Sequence, residues 1–433
     1  MDKKYPFQKF TLPNGLTVLL YKMDSIMSTY AVLYVRVGAI YEKQKERGLS
    51  HLTEHLAFLG TDKYPSPTLI SQEAEQRGML YNGGTSQTST YYSVHLPHNF
   101  INYGLEMLHQ FVFKPKNTTT NSEKEKEVVI SEYQDFWHNP ERHFYHKIWR
   151  KRFRQKEHPY SFRPMGIPAS INKLDISEVK KWRDNFYNPS NMVLSIAGNI
   201  NTNDLEKRLK ETFGKEKSGK IAEEPVFAND DYSGFTSYLQ KDPRPQIIFI
   251  LTFPVFGWRE NKRIDRQKLR ILNRILGGGQ SSRLYERLRR KERLVYRVGS
   301  NYSLHSWMGG LEIQGSVPVE KLTITLKNIK EELDKVINLG ISKNELIRAK
   351  GFLSASIQMQ FDNPPTVASF LGSQEFDKEE IWFPDDYIRA GERVTREDIH
   401  KMAKNIFDYP RLNLGLLGNV PNKTVREIEK IFH

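Results

Sequence analysis

The sequence predicts an α+β fold with two homologous domains, each built from a mixed, mostly antiparallel sheet with helices packed on one side. The length indicates more than one domain, because 433 residues exceed what a single hydrophobic core usually organises. Strand and helix patterns follow one another irregularly, which disfavours the regular alternation of a parallel sheet. An internal duplication divides the chain into two related halves.

The duplication links segments near the ends of the two halves. Tyr187 to Ile200 is echoed by Phe407 to Val420. In each copy a Pro turn leads into an apolar strand that ends in Gly-Asn, at Gly198 and Gly418, and a charged amphipathic helix follows. A spacing of about 220 residues is too long for a solenoid repeat and indicates a duplicated domain. We therefore expect domains at 1–214 and 235–433, joined by a polar linker at 215–234.

The N-terminal half opens with a β-hairpin. Asn14-Gly15 separates two apolar runs, which is a strong hairpin signal. The patterns of this half predict strands at 7–12, 16–21, 29–37 and 79–95, and helices at 48–59, 68–77, 100–113 and 122–137.

Composition excludes several classes of protein. Hydrophobic residues make up 38% and aromatic residues 12% of the chain, enough for globular cores and too many for a disordered chain. No apolar run approaches the roughly 18 residues of a membrane helix, and the start lacks an apolar signal segment, so we expect a cytoplasmic protein with no membrane partner. Because the chain has 0 Cys, any metal would need His and carboxylate ligands.

The chain is basic, with 65 Lys and Arg against 51 Asp and Glu and a formal charge of +14. Such a charge attracts polyanions without specificity. The densest basic stretch, Arg142 to Lys156, interleaves Lys and Arg with aromatic residues, as a nucleic-acid-binding helix can. Aromatic residues at helical spacing usually pack inward, so we favour an amphipathic helix with a solvated basic face and expect no specific nucleic-acid partner.

The predicted helix at 48–59 contains His51-Leu52-Thr53-Glu54-His55. The two His, at i and i+4, lie on one helical face, and Glu54 falls on the same face. Two imidazoles can bind zinc, while a carboxylate that is not a ligand can take a proton from a zinc-bound water. The alternative is a solvated polar face, but the apolar neighbours of these residues predict a buried helix.

A catalytic zinc site needs a third protein ligand, and the best candidate helix is the one predicted at 122–137. Glu125 and Glu132 lie two turns apart on one face, so that one can bind the metal while the other supports it. Glu125 has an ordinary alternative, because Ser122-x-x-Glu125 reads as a capping box. Glu132 has none, and near Val128, Val129 and Ile130 an unpaired carboxylate would be costly.

These motifs resemble the inverted-motif (His-x-x-Glu-His) zinc peptidases of the pitrilysin and insulysin type. The chain length is similar to that of the branch with mitochondrial processing peptidase and its bacterial relatives. The resemblance covers essentially the whole chain and implies two related domains that form half of a clamshell. It implies one Zn²⁺ per chain with ligands His51, His55 and Glu132, Glu54 as the general base, and Glu125 as a supporting carboxylate.

A second motif of this family lies in the other half. The segment from Leu276 to Tyr296 looks like the family's Gly-rich turn and helix, followed by an Arg and a Tyr seven positions apart, here Arg289 and Tyr296. The resemblance implies that this pair holds the substrate carbonyl, and guanidinium and phenol groups are both good donors to an oxyanion. From the residues alone, Arg289 is one of many basic residues on a helix.

The predicted strand at 79–95 is similar to the family strand whose edge pairs with an extended substrate, which implies substrate binding by Asn82, Gly83, Gly84 and Thr85. Glycine in a strand commonly marks close backbone approach. This sequence departs from the family pattern, which usually has an aromatic residue in place of Gly84 and an acidic residue in place of Thr88.

The sequence thus predicts a zinc metalloendopeptidase that cleaves unfolded or short peptides inside a closed chamber. A homodimer is expected, since this chain carries both motifs. The alternatives are one subunit of a heterodimeric processing peptidase, a non-catalytic scaffold of the same family, and a basic nucleic-acid binder.

Overall fold

A computed structural model describes residues 5–154, 157–227 and 234–433. The strands are β1 Phe7–Thr11, β2 Thr17–Lys22, β3 Ser28–Val35, β4 Leu80–Thr85, β5 Thr90–Pro97, β6 Met192–Gly198, β7 Thr236–Gln240, β8 Gln246–Val255, β9 Arg297–Leu304, β10 Gly309–Pro318 and β11 Asn413–Leu417. The helices are α1 Leu49–Leu56, α2 Pro67–Glu75, α3 Ile101–Phe113, α4 Thr119–His138, α5 Pro140–Lys151, α6 Pro168–Ile171, α7 Ile176–Phe186, α8 Thr202–Glu211, α9 Arg263–Leu276, α10 Val319–Leu339, α11 Lys343–Gln360, α12 Pro364–Phe376, α13 Pro384–Glu392, α14 Arg396–Ile406 and α15 Asn422–Phe432.

The first unit contains a six-stranded sheet in the order β1-β2-β6-β3-β5-β4. All pairs are antiparallel except β2 with β6, so the sheet is mixed and mostly antiparallel, as predicted. One face packs on α1 and α3, and α7 packs on α1, through a core that includes Leu33, Leu194 and Phe111, all at 0% exposure. Strand β4 lies at the end of the sheet and has one partner, β5.

The second unit contains a five-stranded sheet in the order β7-β11-β8-β10-β9. Strand β11 repeats the pairing of β6 in the first sheet, because β11 is parallel to β7 and antiparallel to β8, as β6 is to β2 and β3. Strands β6 and β11 also end alike: Gly198 has φ +139° and Gly418, just after β11, has φ +143°, a conformation that favours glycine. The duplicated α+β fold that the sequence predicts is therefore confirmed.

Each unit also includes one helix from the opposite half of the sequence. The first unit comprises the chain up to Asp135 with Phe162–Pro225 and Met359–Trp382, and the second comprises Phe136–Ser161, Val226–Gln358 and Phe383–His433. Helix α12 packs on β6, β3 and β2, and α5 packs on β11 and β7. The predicted boundaries at 214 and 235 do not include this exchange. They stay a prediction of where the two duplicated segments of the sequence end and begin.

The predicted linker at 215–234 is only partly described, since residues 228–233 lie outside the described ranges. Its first part is held by polar side chains of the first unit. Asn14 donates to the carbonyl of Glu216 at 3.0 Å, Asn188 donates to the carbonyl of Lys220 at 3.1 Å, and the amide of Ala222 donates to Asn191.

Three elements refine the sequence predictions. The single strand predicted at 79–95 is a hairpin of β4 and β5, because Ser86 and Ser89 form a hydrogen-bonded turn between them. Helix α5 buries Phe144 and Ile148, as the amphipathic interpretation of the basic stretch predicts. Lys156, the last residue of that stretch, lies outside the described residues.

None of the helices in the described part of the chain has the length and apolar character needed to cross a membrane.

Candidate metal centre

Helix α1 brings the motif His51 to His55 together as the sequence predicts. Leu49, Leu52 and Leu56 are at 0–2% exposure and anchor the helix in the core. The two His occupy the neighbouring face, with their Nε2 atoms 3.3 Å apart. Both rings therefore present a nitrogen to the same point beside the helix.

Helix α4 contributes Glu132 to that point. Its Oε2 atom lies 3.8 Å from Nε2 of His51 and 3.7 Å from Nε2 of His55. Two atoms that bind one zinc ion tetrahedrally at about 2 Å lie about 3.3 Å apart, so these separations are close to what zinc requires. Among the described residues, this is the only group of three or more His, Asp or Glu arranged to hold a metal ion.

Glu125 lies two helical turns before Glu132 and contacts the outer nitrogen of the His55 ring. Its Oε1 atom lies 2.7 Å from Nδ1 of His55. Helix α4 begins at Thr119, so Ser122 lies inside the helix and does not cap it. The structure therefore favours the supporting carboxylate over the capping box. A carboxylate on the outer nitrogen fixes the ring and makes its inner nitrogen a better metal ligand.

The two rings differ in their electrostatics. Burial, with a smaller effect of His55, lowers the pKa of His51 to about 3, so this ring is neutral at neutral pH and its lone pair is available. Burial also disfavours the charged form of His55, but the hydrogen bond with Glu125 and the nearby carboxylates of Glu132 and Glu54 outweigh it and raise the pKa of this ring. The carboxylates around His55 thus favour a positive charge at this point.

Glu54 is a buried carboxylate beside the same point. Its side chain is 7% exposed, and its Oε2 atom accepts a hydrogen bond of 2.7 Å from the hydroxyl of Thr85. Burial raises the pKa of Glu54, although the Thr85 hydrogen bond opposes the shift. A carboxylate with a raised pKa is a better proton acceptor, which suits a general base.

The four residues of the predicted substrate strand line a cavity of about 640 Å³ with the metal-centre residues. They belong to β4, whose outer edge has no neighbouring strand in the described sheet. The loop before α6 brings three further residues to the cavity, Arg163, Pro164 and Met165, and no motif in the sequence marks them as part of a site.

The absence of a side chain at Gly83 leaves room for the carboxylate of Glu54. A Cβ atom at this position would lie 2.9 Å from Oε1 of Glu54 and 2.9 Å from the ring of Phe58. We expect Gly83→Ala to displace the Glu54 carboxylate and to lower kcat about 10-fold or more while zinc stays bound, since a small misplacement of a catalytic group is costly. The check is peptidase kinetics together with zinc content.

Gly351→Ala in α11 is the matched control, because a Cβ atom there would meet nothing within 4 Å. Equal kcat values for the Gly83 and Gly351 variants would contradict the crowding argument.

The structure places Arg289 and Tyr296 in the second unit. Arg289 lies in a π-helix, Tyr285–Lys291, and stacks on the ring of Tyr296 at 4.9 Å. It also donates to the carbonyl of Val295 at 3.3 Å, and Tyr296 is 75% exposed. The pair is therefore preassembled at the surface of its unit, with its phenol accessible.

An anchor that the sequence reasoning missed holds this π-helix. Arg287 donates to Glu292 at 2.9 Å, and to Glu331 and Glu332 of α10 at 2.6 and 3.0 Å. π-Helical turns are frequent at functional sites.

Two family models match the chain in sequence order. Residues 17–163 match the insulinase model of peptidase family M16, and residues 173–353 match the model described as the peptidase M16 inactive domain. The chain belongs to peptidase family M16. The predicted resemblance to peptidases of the pitrilysin and insulysin type is confirmed, and the candidate metal centre lies in the part of the chain that matches the insulinase model.

Curated relatives of this M16 chain carry names of the same kind. An uncharacterized zinc protease of Rickettsia felis is 28% identical over 404 residues, which cover 93% of this chain and 96% of the relative. The uncharacterized zinc protease YmxG of Bacillus subtilis is 24% identical, covering 96% of this chain and all of the relative. The crystal structure of a protease from Helicobacter pylori shares the fold, with TM-score 0.84, 22% identity and coverage of 96% and 100%.

Proposed function

We propose that this M16 protein is a zinc-dependent endopeptidase that cleaves unfolded or short peptides inside a closed chamber. The observation that carries the proposal is the convergence of two His and one Glu on a single point, with the buried carboxylate of Glu54 beside it. A binding or scaffold protein has no need of a buried base next to a metal-ligand set.

The donor set fits zinc. His51, His55 and Glu132 would hold one ion per chain, because neutral imidazole nitrogen and carboxylate oxygen are the donors of catalytic zinc sites, and three protein ligands leave a position open. Bound there, zinc would polarise the scissile carbonyl and lower the pKa of water towards neutrality. Glu125 supports the set by orienting His55.

The chain's own residues account for the remaining steps. A peptide would pair as an added strand with β4, at Asn82, Gly83, Gly84 and Thr85, so that its backbone is held without regard to most side chains. Glu54 would take the proton of the attacking water and deliver it to the leaving amine. Arg289 and Tyr296 would donate hydrogen bonds to the carbonyl oxygen as it gains charge.

Incubation of the purified protein with a mixed peptide library, read by mass spectrometry, tests this function. We expect internal cleavage that a chelator abolishes and added zinc restores. No cleavage by zinc-loaded protein would favour a non-catalytic scaffold instead.

We further propose that the active form is a cytoplasmic homodimer in which each site uses Glu54 of one chain and Arg289 of the other. Chains with Glu54→Gln and chains with Arg289→Ala should each be nearly inactive, and mixing them should restore part of the activity, because one site of a mixed dimer has both groups intact. Light scattering gives the size of the assembly and reports subunit exchange. Exchange without recovery would contradict the shared site, and a monomer would favour a subunit that needs a different partner chain.

A further inference from the structure

Glu42 lies in the segment just before the metal-binding helix and contacts the start of that helix. Its Oε2 atom accepts the amide hydrogen of Gly48 at 2.9 Å, and its Oε1 atom accepts that of Ser50 at 2.7 Å. The two amides belong to the cap residue and to the first turn of α1, where N–H groups have no partner within the helix. One carboxylate thus satisfies two of them.

Helix α1 has no side-chain cap at its N-cap position. The residue at the cap position is Gly48, which has no side chain to accept a bond. Its φ of +96° and its surroundings also exclude a larger residue, because a Cβ atom would lie 3.1 Å from Ile171 and 3.2 Å from Cα of Gly166. The chain therefore cannot cap α1 from the cap position, and Glu42 supplies the cap from six residues earlier.

The Glu42 cap is adjacent to His51, one of the three proposed zinc ligands. Ser50 immediately precedes His51, so the Glu42 carboxylate fixes the backbone from which the His51 ring projects. The outer nitrogen of that ring, Nδ1, is buried and has no hydrogen-bond partner among the described residues. His55 differs, because Glu125 orients its ring directly. The orientation of His51 consequently depends on the first turn of the helix.

We infer that Glu42 is a positioning residue for the metal centre, which sets His51 by clamping the first turn of α1 with both carboxylate oxygens. This inference rests on the proposed zinc function. It predicts that the acceptor geometry of residue 42 controls the affinity for zinc, although this side chain does not touch the ion. Partners that orient metal ligands typically change metal affinity 10- to 100-fold.

The experiment compares Glu42→Ala, Glu42→Gln and Glu46→Gln. Glu46 is the matched control, since its carboxylate accepts the amide of Lys43 in the same segment at 3.1 Å but caps a turn without a ligand. Zinc-free proteins are titrated with Zn²⁺ against a chromophoric chelator, their thermal unfolding is recorded, and Co²⁺ spectra report the ligand geometry.

We expect Glu42→Ala to weaken zinc binding about 10- to 100-fold and to change the Co²⁺ spectrum. Glu42→Gln should weaken zinc binding less, because its single amide oxygen keeps one of the two bonds. Glu46→Gln should bind like the wild type.

Folded Glu42→Ala protein with wild-type affinity and spectrum would overturn the inference and leave a purely structural cap. If Glu42→Ala does not fold, Glu42→Gln decides in the same way. A wild-type chain that binds no zinc would contradict the proposed function instead, so the two failures are distinguishable.

Discussion

Glu54→Gln should keep its zinc and lose turnover by about 10²- to 10⁴-fold, the range expected when a general acid–base group is removed. The substitution preserves the shape of the side chain, and the amide oxygen can still accept the hydroxyl of Thr85. It removes the basicity that burial gives this carboxylate. The measurements are kcat on a cleavable peptide and zinc content per chain.

Glu127→Gln is the control for this variant, because Glu127 is exposed on α4, the helix of Glu125 and Glu132. Loss of zinc together with activity would move Glu54 into the ligand set. Undiminished turnover would remove it from the mechanism.

Local spacing predicted which side chains of the candidate metal centre share a helical face. A helix of defined pitch places His51 and His55 on one face wherever it packs, and the same pitch relates Glu125 to Glu132. Spacing could not reveal that these two helices meet, because a contact between α1 and α4 depends on tertiary packing and not on the pitch of either helix. The family resemblance supplied that information for Glu132.

The capping box shows where local reasoning fails. Ser122 and Glu125 have the correct spacing, but a cap requires the helix to begin there, and α4 begins one turn earlier at Thr119. The position of a helix end is the weakest part of a pattern-based prediction. Glu42 shows the converse case, because its two bonds span six and eight residues across an irregular turn that has no sequence signature.

The exchanged helices could not be predicted for a similar reason. Both α5 and α12 have apolar faces that must be covered, and amphipathic patterns do not say which sheet covers them. Gly372 shows the fit that decides this for α12, since a Cβ atom there would lie 2.8 Å from the ring of Tyr34 on β3. Such close packing is visible only once the tertiary structure is known.

The second large effect is expected for His51→Ala, which should lose stoichiometric zinc and with it peptidase activity. Two ligands would remain, and catalytic zinc sites use three protein ligands, so the affinity should fall at least about 100-fold. Zinc content after dialysis and activity with and without excess Zn²⁺ measure this. His138→Ala is the control, because His138 is exposed at the end of α4.

The comparison of His51→Ala with Glu54→Gln separates a loss of zinc binding from a loss of proton transfer. Zinc in excess should restore part of the activity of His51→Ala protein, since its base remains in place, and should restore nothing to Glu54→Gln protein, whose metal is already bound. His51→Ala protein that retains a full equivalent of zinc would show that the ligand assignment is wrong. Equal rescue of both variants would show that Glu54 helps to bind the metal, because added zinc cannot replace a missing proton acceptor.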